Sequence, residues 1–120
     1  MALDSKGRVW VWGRGDSGQL GLGSLDSVTE PTELSMPCPC VRIAAGSSFS
    51  LALTKEKGDN AYGWGYGEMG QLANGGQDSA EPRKMNLKGR TAVEISAGGQ
   101  HSVLVVKNKG DKTKKPKSSK

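Results

Sequence analysis

Histidine occurs once in these 120 residues, cysteine twice and aromatic residues only six times. Each scarcity excludes a class of chemistry. The cysteines stand at Cys38-Pro39-Cys40, whereas a structural zinc site favours two to four residues between paired cysteines and needs two further ligands. His101 lies 61 positions beyond Cys40. No metal site is expected, and both thiols are expected reduced in a loop. The aromatics are too sparse for a ligand cage or a light-absorbing cluster. No run approaches the roughly 20 apolar residues of a membrane helix, and no charged-then-apolar leader opens the sequence. Neither a membrane partner nor a secretory leader is expected.

Glycine is abundant instead, at 18 of 120 residues, about twice the usual share of about 7%. Much of it lies in Trp12-Gly-Arg-Gly-Asp-Ser-Gly-Gln-Leu-Gly21. Gly13, Gly15 and Gly18 there have the spacing of a dinucleotide-binding turn. A true turn of that kind opens a helix whose N-terminal amides hold a pyrophosphate. Here Gly21 and Gly23 follow, and no apolar period of 3.6 residues does. The same pattern then recurs at Gly65, Gly67 and Gly70, followed by Gln71-Leu72. Trp12 and Trp64 are 52 positions apart, as are Ile43-Ala44-Ala45-Gly46 and Ile95-Ser96-Ala97-Gly98. The glycines mark a repeat, and a period near 50 points to a solenoid, propeller or array before any nucleotide enzyme. No cofactor is expected.

Each unit carries the same phrases. An apolar strand ends in Trp-Gly, at Val9–Gly13 and Ala61–Gly65. A glycine-rich turn closes on Gln-Leu, and a polar segment runs to Pro31 or Pro82. A second strand leads into Ala-Gly, at 41–46 and 93–98, and a third spans 50–54 and 102–106. Short strands punctuated by Gly and Pro indicate an all-β chain. A unit near 50 residues fits a four-stranded blade of a β-propeller. Two such repeats are expected within residues 1–106, bounded near 7–58 and 59–106. Trp12, Gly13, Gly18, Gln19 and Leu20, with Trp64, Gly65, Gly70, Gln71 and Leu72, are read as their structural residues. Both tryptophans are expected to pack within or between blades. Ala73 replaces Gly21, a change that fits a backbone position outside the left-handed region.

Charge is unevenly placed. The net charge is +5, yet the seven lysines and one aspartate from Lys107 to Lys120 carry +6, leaving the rest at −1. That tail lacks the apolar residues needed to order itself. Lys107, Lys109, Lys112, Lys114, Lys115, Lys117 and Lys120 read either as a nucleic-acid or nuclear-import patch or as a solvated terminus. Arg14-Gly15-Asp16 has the form of a cell-adhesion tripeptide and is taken as chance.

Trp12-Gly13…Gly18-Gln19-Leu20-Gly21 and Ile43-Ala44-Ala45-Gly46 resemble the repeat signature of the regulator of chromosome condensation family, over essentially residues 1–106. Ser96–Lys107, with its Gly99-Gln100-His101 loop, resembles the C-terminal end of the family's nuclear exchange factors for the Ran GTPase. The resemblance implies a seven-bladed propeller in the whole molecule, with roles in the nucleus, on chromatin and in chromosome condensation. One face would engage Ran and promote nucleotide release without covalent chemistry. The other would contact histones and DNA, and the basic tail would meet DNA or an importin. His101 is implied as a Ran contact, with Gln100 and Gly99 beside it; capping its own turn or bonding a neighbouring blade is the alternative. Phe49, in the matching loop, is expected to be packed.

The repeat also begins and ends at the same phase, so Met1 falls inside a strand and the lysine tail stands where another Trp-Gly strand is due. The expectation is two repeats of a larger ring, without the wedge that displaces nucleotide in the family and not competent for exchange alone. Whether Met1 is a natural start stays open. A non-exchanging propeller module for protein interaction, as in the large HECT-type ubiquitin ligases, is the alternative.

Overall fold

A computed structural model describes residues 1–107. Nine strands and no helix make up this part. They are β1 (Ala2–Leu3), β2 (Val9–Gly13), β3 (Val28–Leu34), β4 (Cys40–Ala45), β5 (Phe49–Thr54), β6 (Ala61–Gly65), β7 (Ser79–Lys84), β8 (Thr91–Ala97) and β9 (Ser102–Lys107). They form three antiparallel sheets in the orders β1-β2-β3, β4-β5-β6-β7 and β8-β9. The middle sheet is a complete four-stranded propeller blade. The sheets change at 35–39 and 85–90, so a sequence unit such as 7–58 starts in one sheet and ends in the next.

The middle sheet is covered on both faces, which explains why every residue of β5 and β6 is buried. Side chains alternate across a strand. Phe49, Leu51, Leu53 and Ala61 therefore face the third sheet, in a core shared with Leu72, Met85 and Ala92. Ala52, Tyr62 and Trp64 face the first sheet and pack with Val9, Val11, Leu20 and Leu34. Large residues meet small ones across the strands: Leu51 lies opposite Gly63, Phe49 opposite Gly65 and Trp64 opposite Ser50.

Both outer faces of this stack are bare among the described residues. Trp12 is 40% exposed on the first sheet, whereas its repeat equivalent Trp64 is fully buried. Val103 and Val105 are 56% and 53% exposed on the third, whereas their equivalents Leu51 and Leu53 are buried. Trp12, expected to pack within or between blades, is only partly covered among the described residues. Its side chain points away from the middle sheet, and no described sheet lies on that side.

β3 and β7 have no counterpart among the strands read from the sequence. They are the outermost strands, they carry Pro31 and Pro82, and most of their residues are exposed or partly so. Proline is tolerated on such an edge because one side of the strand needs no ladder partner. Charge and proline there also discourage edge-to-edge pairing.

Ala73 corrects the sequence reading. Its φ is +52°, in the left-handed region, as at its equivalent Gly21 with φ +76°. Alanine there carries a steric cost of about 1–2 kcal/mol.

Candidate functional site: two ends of the stacked sheets

The glycine-rich turns use many of their backbone amides internally. In the first turn, Gly15 N–H donates to Ser27 Oγ at 3.0 Å and Ser17 N–H to Gln19 Oε1 at 2.8 Å. In the second, Gly67 N–H donates to Asp78 Oδ1 at 2.9 Å and Met69 N–H to Gln71 Oε1 at 3.0 Å. The amides of Gly18, Gly21, Gly70 and Ala73 each donate to the carbonyl three residues earlier.

The Gln-Leu pair also stitches neighbouring sheets. Ser50 Oγ donates to the Gln19 carbonyl at 2.9 Å, and Ser102 Oγ to the Gln71 carbonyl at 2.7 Å. Leu20 and Leu72 fill the two cores, and Gly18 lies against Ala80. Gly13 and Gly65 end their strands with positive φ, while Gly70 is exposed at its turn.

These turns and the β4–β5 and β8–β9 loops gather at one end of the stack. Tyr66 N–H donates to the Ser48 carbonyl at 2.8 Å, and Ser47 N–H reaches across sheets to the Gly99 carbonyl at 3.3 Å. Gly99, Gln100 and His101 are all exposed here, beside Ser47. His101 folds its imidazole over Gly98, leaving no room for a side chain there. Phe49 does the same to Gly46 one blade earlier. The two rings are structurally equivalent; they differ because the third sheet covers Phe49. The glycine-rich turns carry the exposed acids Asp16, Asp26, Glu68 and Asp78, of which Asp78 accepts from Gly67 N–H. Asp16 is held by the Arg14 guanidinium, with Nη2 to Oδ2 at 2.9 Å, so the Arg14-Gly15-Asp16 tripeptide is folded onto itself. That pairing lowers the Asp16 pKa and raises that of Arg14.

The opposite end holds the turns before β2, β6 and β8. Lys6, Lys55, Lys57 and Lys88 are exposed in them, and Lys107 closes β9 at the same end, opposite Thr91. Lys107, the last described residue, thus lies at the end away from His101. Lys109, Lys112, Lys114, Lys115, Lys117 and Lys120 lie outside the described residues. Acids here are engaged by neighbours. Asp4 Oδ1 accepts the N–H groups of Arg8 and Lys6, and Oδ2 the Arg8 Nε at 2.7 Å. These contacts, chiefly the Arg8 amide, hold Asp4 well below the usual carboxylate range. Asp59 Oδ1 accepts from Leu87 and Gly89. Glu56 accepts from the Tyr62 hydroxyl at 2.8 Å and lies 3.5 Å from Lys84 Nζ. The sequence reading passed over this second cluster. Its signal was the alignment of Lys6-Gly7 with Lys57-Gly58.

Asn60 was also passed over. Buried between sheets, it donates to the Thr54 and Ala92 carbonyls at 3.0 and 2.9 Å and accepts from Ala92 N–H at 2.7 Å. Cys40, at the start of β4, is buried, and burial pushes its thiol up to about 11.

The sequence profile of the Regulator of chromosome condensation (RCC1) repeat matches residues 6–53 and 59–105. The chain belongs to the regulator of chromosome condensation family. It is 35% identical over 114 residues to the human Regulator of chromosome condensation, covering 91% of this chain and 27% of that protein. It is equally identical over 107 residues to the human E3 ubiquitin-protein ligase HERC2, covering 86% of this chain and 2% of the ligase. The chain therefore spans about a quarter of one relative and a small part of the other. Among solved structures, Prp20p from Saccharomyces cerevisiae, known for binding Gsp1p and histones, matches with a TM-score of 0.77 at 25% identity. That match covers 87% of this chain and 28% of Prp20p. Human WBSCR16 matches at 0.73 and 25% identity, covering 87% and 27%. The sheets are one complete and two partial RCC1-type propeller blades, and the relatives include a regulator of chromosome condensation and a ubiquitin ligase.

Proposed function

We propose that this chain serves as part of a chromatin-associated guanine-nucleotide exchange factor for the Ran GTPase, in the nucleus. The observation that carries this reading is the separation of its two ends. The His101 loop shares one end with the acid-bearing glycine-rich turns, and exposed lysines, Lys107 among them, lie at the other. A rigid stack of this kind presents one partner surface at each end, on loops held by the sheets. The loop end suits the GTPase. The lysine end suits histone-bound DNA, with the tail beyond it adding phosphate contacts or an importin site. The likeness to Prp20p, described by its binding to Gsp1p and histones, supports partners of these two kinds.

Exchange on this reading is linkage, not covalent chemistry. A partner that binds nucleotide-free GTPase more tightly than the loaded form lowers nucleotide affinity by the same factor. Gln100 and His101 supply exposed hydrogen-bonding groups for that contact; a neutral imidazole both donates and accepts. The proposal does not require the chain to complete exchange alone.

The test is binding to Ran, loaded and stripped of nucleotide. The expected result is binding of the stripped form about tenfold tighter, a difference of about 1.4 kcal/mol, with that preference lost in His101→Ala. Equal affinity for both forms would count against an exchange role. No binding at all would favour a scaffold module, a reading supported by the way His101 covers Gly98 just as the purely structural Phe49 covers Gly46.

A further inference from the structure

We propose that the rim of the stack, between the outer strands β3 and β7, is a docking groove for an extended peptide segment that carries an arginine or lysine. The rim is neither of the two ends described above, so this site goes beyond the exchange reading and does not rest on it.

β3 and β7 are the outer strands of neighbouring sheets. Between them the seam opens into two adjoining hollows of about 390 and 500 Å³, a size that holds a side chain with its flanking backbone. Both are lined only by residues between 21 and 83. The first is walled by Gly21 and Leu22 of the first glycine-rich turn, Leu34 of β3 and Pro82 of β7, with Glu33 and Glu81 on its two lips. The second continues past Glu81 to Asp78 and Arg83. The walls are fixed to each other. Gly23 N–H donates to the Ala80 carbonyl at 2.8 Å, and Gly18 lies against Ala80, so the first turn is tied to β7.

The groove is acidic. Glu33, Asp78 and Glu81 face a single guanidinium, that of Arg83, which lies 3.8 Å from Glu81. Glu33 is exposed and makes no ion pair among the described residues. A second feature lies under the floor. Trp64 is wholly buried, yet its indole Nε1 has no hydrogen-bond partner among the described residues. Buried indole N–H groups ordinarily find one. A Cβ on Gly21 would come within 2.8 Å of that nitrogen and 3.0 Å of Leu34 Cδ1. The unpartnered donor thus sits against Gly21 and Leu34, the two residues that floor the first hollow.

Together these features specify the occupant. The lips ask for a cation, and the floor asks for a hydrogen-bond acceptor beside it. A basic residue within a peptide supplies both. Its charge sits between Glu33 and Glu81, where the fork of an arginine bridges both carboxylates. Its aliphatic stem lies over Leu22, Leu34 and Pro82. A backbone carbonyl accepts from Trp64 Nε1 once the Leu34 side chain turns aside, a rotamer change of the kind common at interfaces. A free polyamine brings the charge without the acceptor, and a nucleic acid is repelled by the lips.

The experiment follows the indole N–H signals of the ¹⁵N-labelled full chain by NMR, assigned with Trp10→Phe and Trp12→Phe. The probe is the blocked tripeptide Ala-Arg-Ala. The Trp64 signal is expected to move to saturation while that of Trp12 stays in place. Binding is expected to weaken about tenfold or more in Glu33→Gln/Glu81→Gln. A second comparison uses the wild-type chain alone and stands if that variant fails to fold: replacing arginine by uncharged citrulline in the probe is expected to weaken binding equally. Spermidine is expected to leave the Trp64 signal in place. No saturable movement of that signal overturns the proposal, as does equal binding of the citrulline peptide. An equal shift with spermidine overturns the peptide as occupant.

Discussion

At the residue scale, Trp12 and Trp64 show that one sequence position can carry different energetic weight in two repeats. Trp64 is sealed between the first and middle sheets, with its ring against Gly21, whereas Trp12 faces outward. Truncating a fully buried tryptophan costs about 3–5 kcal/mol. Trp64→Ala is expected to lower stability by that amount in a urea melt at low concentration, and Trp12→Ala by about 1 kcal/mol or less. Similar losses for the two variants would mean that Trp12 is covered in the dilute chain. Ala73 makes a complementary point. Glycine relieves the left-handed strain of about 1–2 kcal/mol but adds unfolded-state freedom of about 0.5–1 kcal/mol. Ala73→Gly is expected to raise stability by about 0.5–1 kcal/mol, or about 4 °C in a melt of a chain this size. An unchanged or lower melting temperature would contradict the strain. The sequence held the signal for this strain: the matching residue is a glycine.

At the element scale, legibility followed the source of each strand's stability. β2, β5, β6, β8 and β9 are held by apolar side chains, so their residues spell out the strands in both repeats. β3 and β7 are held mainly by hydrogen bonds to β2 and β6 and bury little, so their sequences, Val-Thr-Glu-Pro-Thr-Glu-Leu and Ser-Ala-Glu-Pro-Arg-Lys, read as polar loops. The β5–β6 turn was equally opaque. Asn60 and Glu56 look like ordinary turn residues, yet Asn60 ties the middle sheet to the third and Glu56 ties β5 to Tyr62 and Lys84. The repeat placed the His101 loop correctly beside its strand, but not the lysines at the far end, because they are scattered over three turns. Glu56 gives this scale its prediction. Its pKa is lowered from the ordinary 4.5, first by the Tyr62 hydroxyl. A lowered carboxylate stabilises the fold above its unfolded value, and that contribution is lost as pH falls through the folded value. Stability is expected to drop as pH falls below about 4.5, and Glu56→Gln is expected to flatten that part of the pH profile. Tyr62 moves the other way: burial, and then Glu56, raise its pKa from 10.0, so its contribution is complete below that pH and lost only above it. A Glu56→Gln profile parallel to the wild type would remove this contact from the account.

At the scale of the whole molecule, the described residues form one complete blade between two partial sheets, with distinct chemistry at the two ends. The family relation accounts for the blade architecture. It leaves activity open, because human relatives of equal identity include a chromosome-condensation regulator and a ubiquitin ligase. The decisive question is whether the loop end acts on a GTPase. The most direct measurement is release of labelled GDP from Ran by the human regulator in which this chain replaces the matching quarter of the propeller, compared as wild type, His101→Phe and His101→Ala. Phenylalanine keeps the cover over Gly98 that Phe49 gives Gly46, but removes the hydrogen-bonding nitrogens. The account predicts release with the wild-type segment and a fall of about tenfold or more, about 1.4 kcal/mol in the barrier, in both variants. Full release with His101→Phe, or a folded hybrid that never stimulates release, would contradict it and leave the loop end as a structural seam between blades.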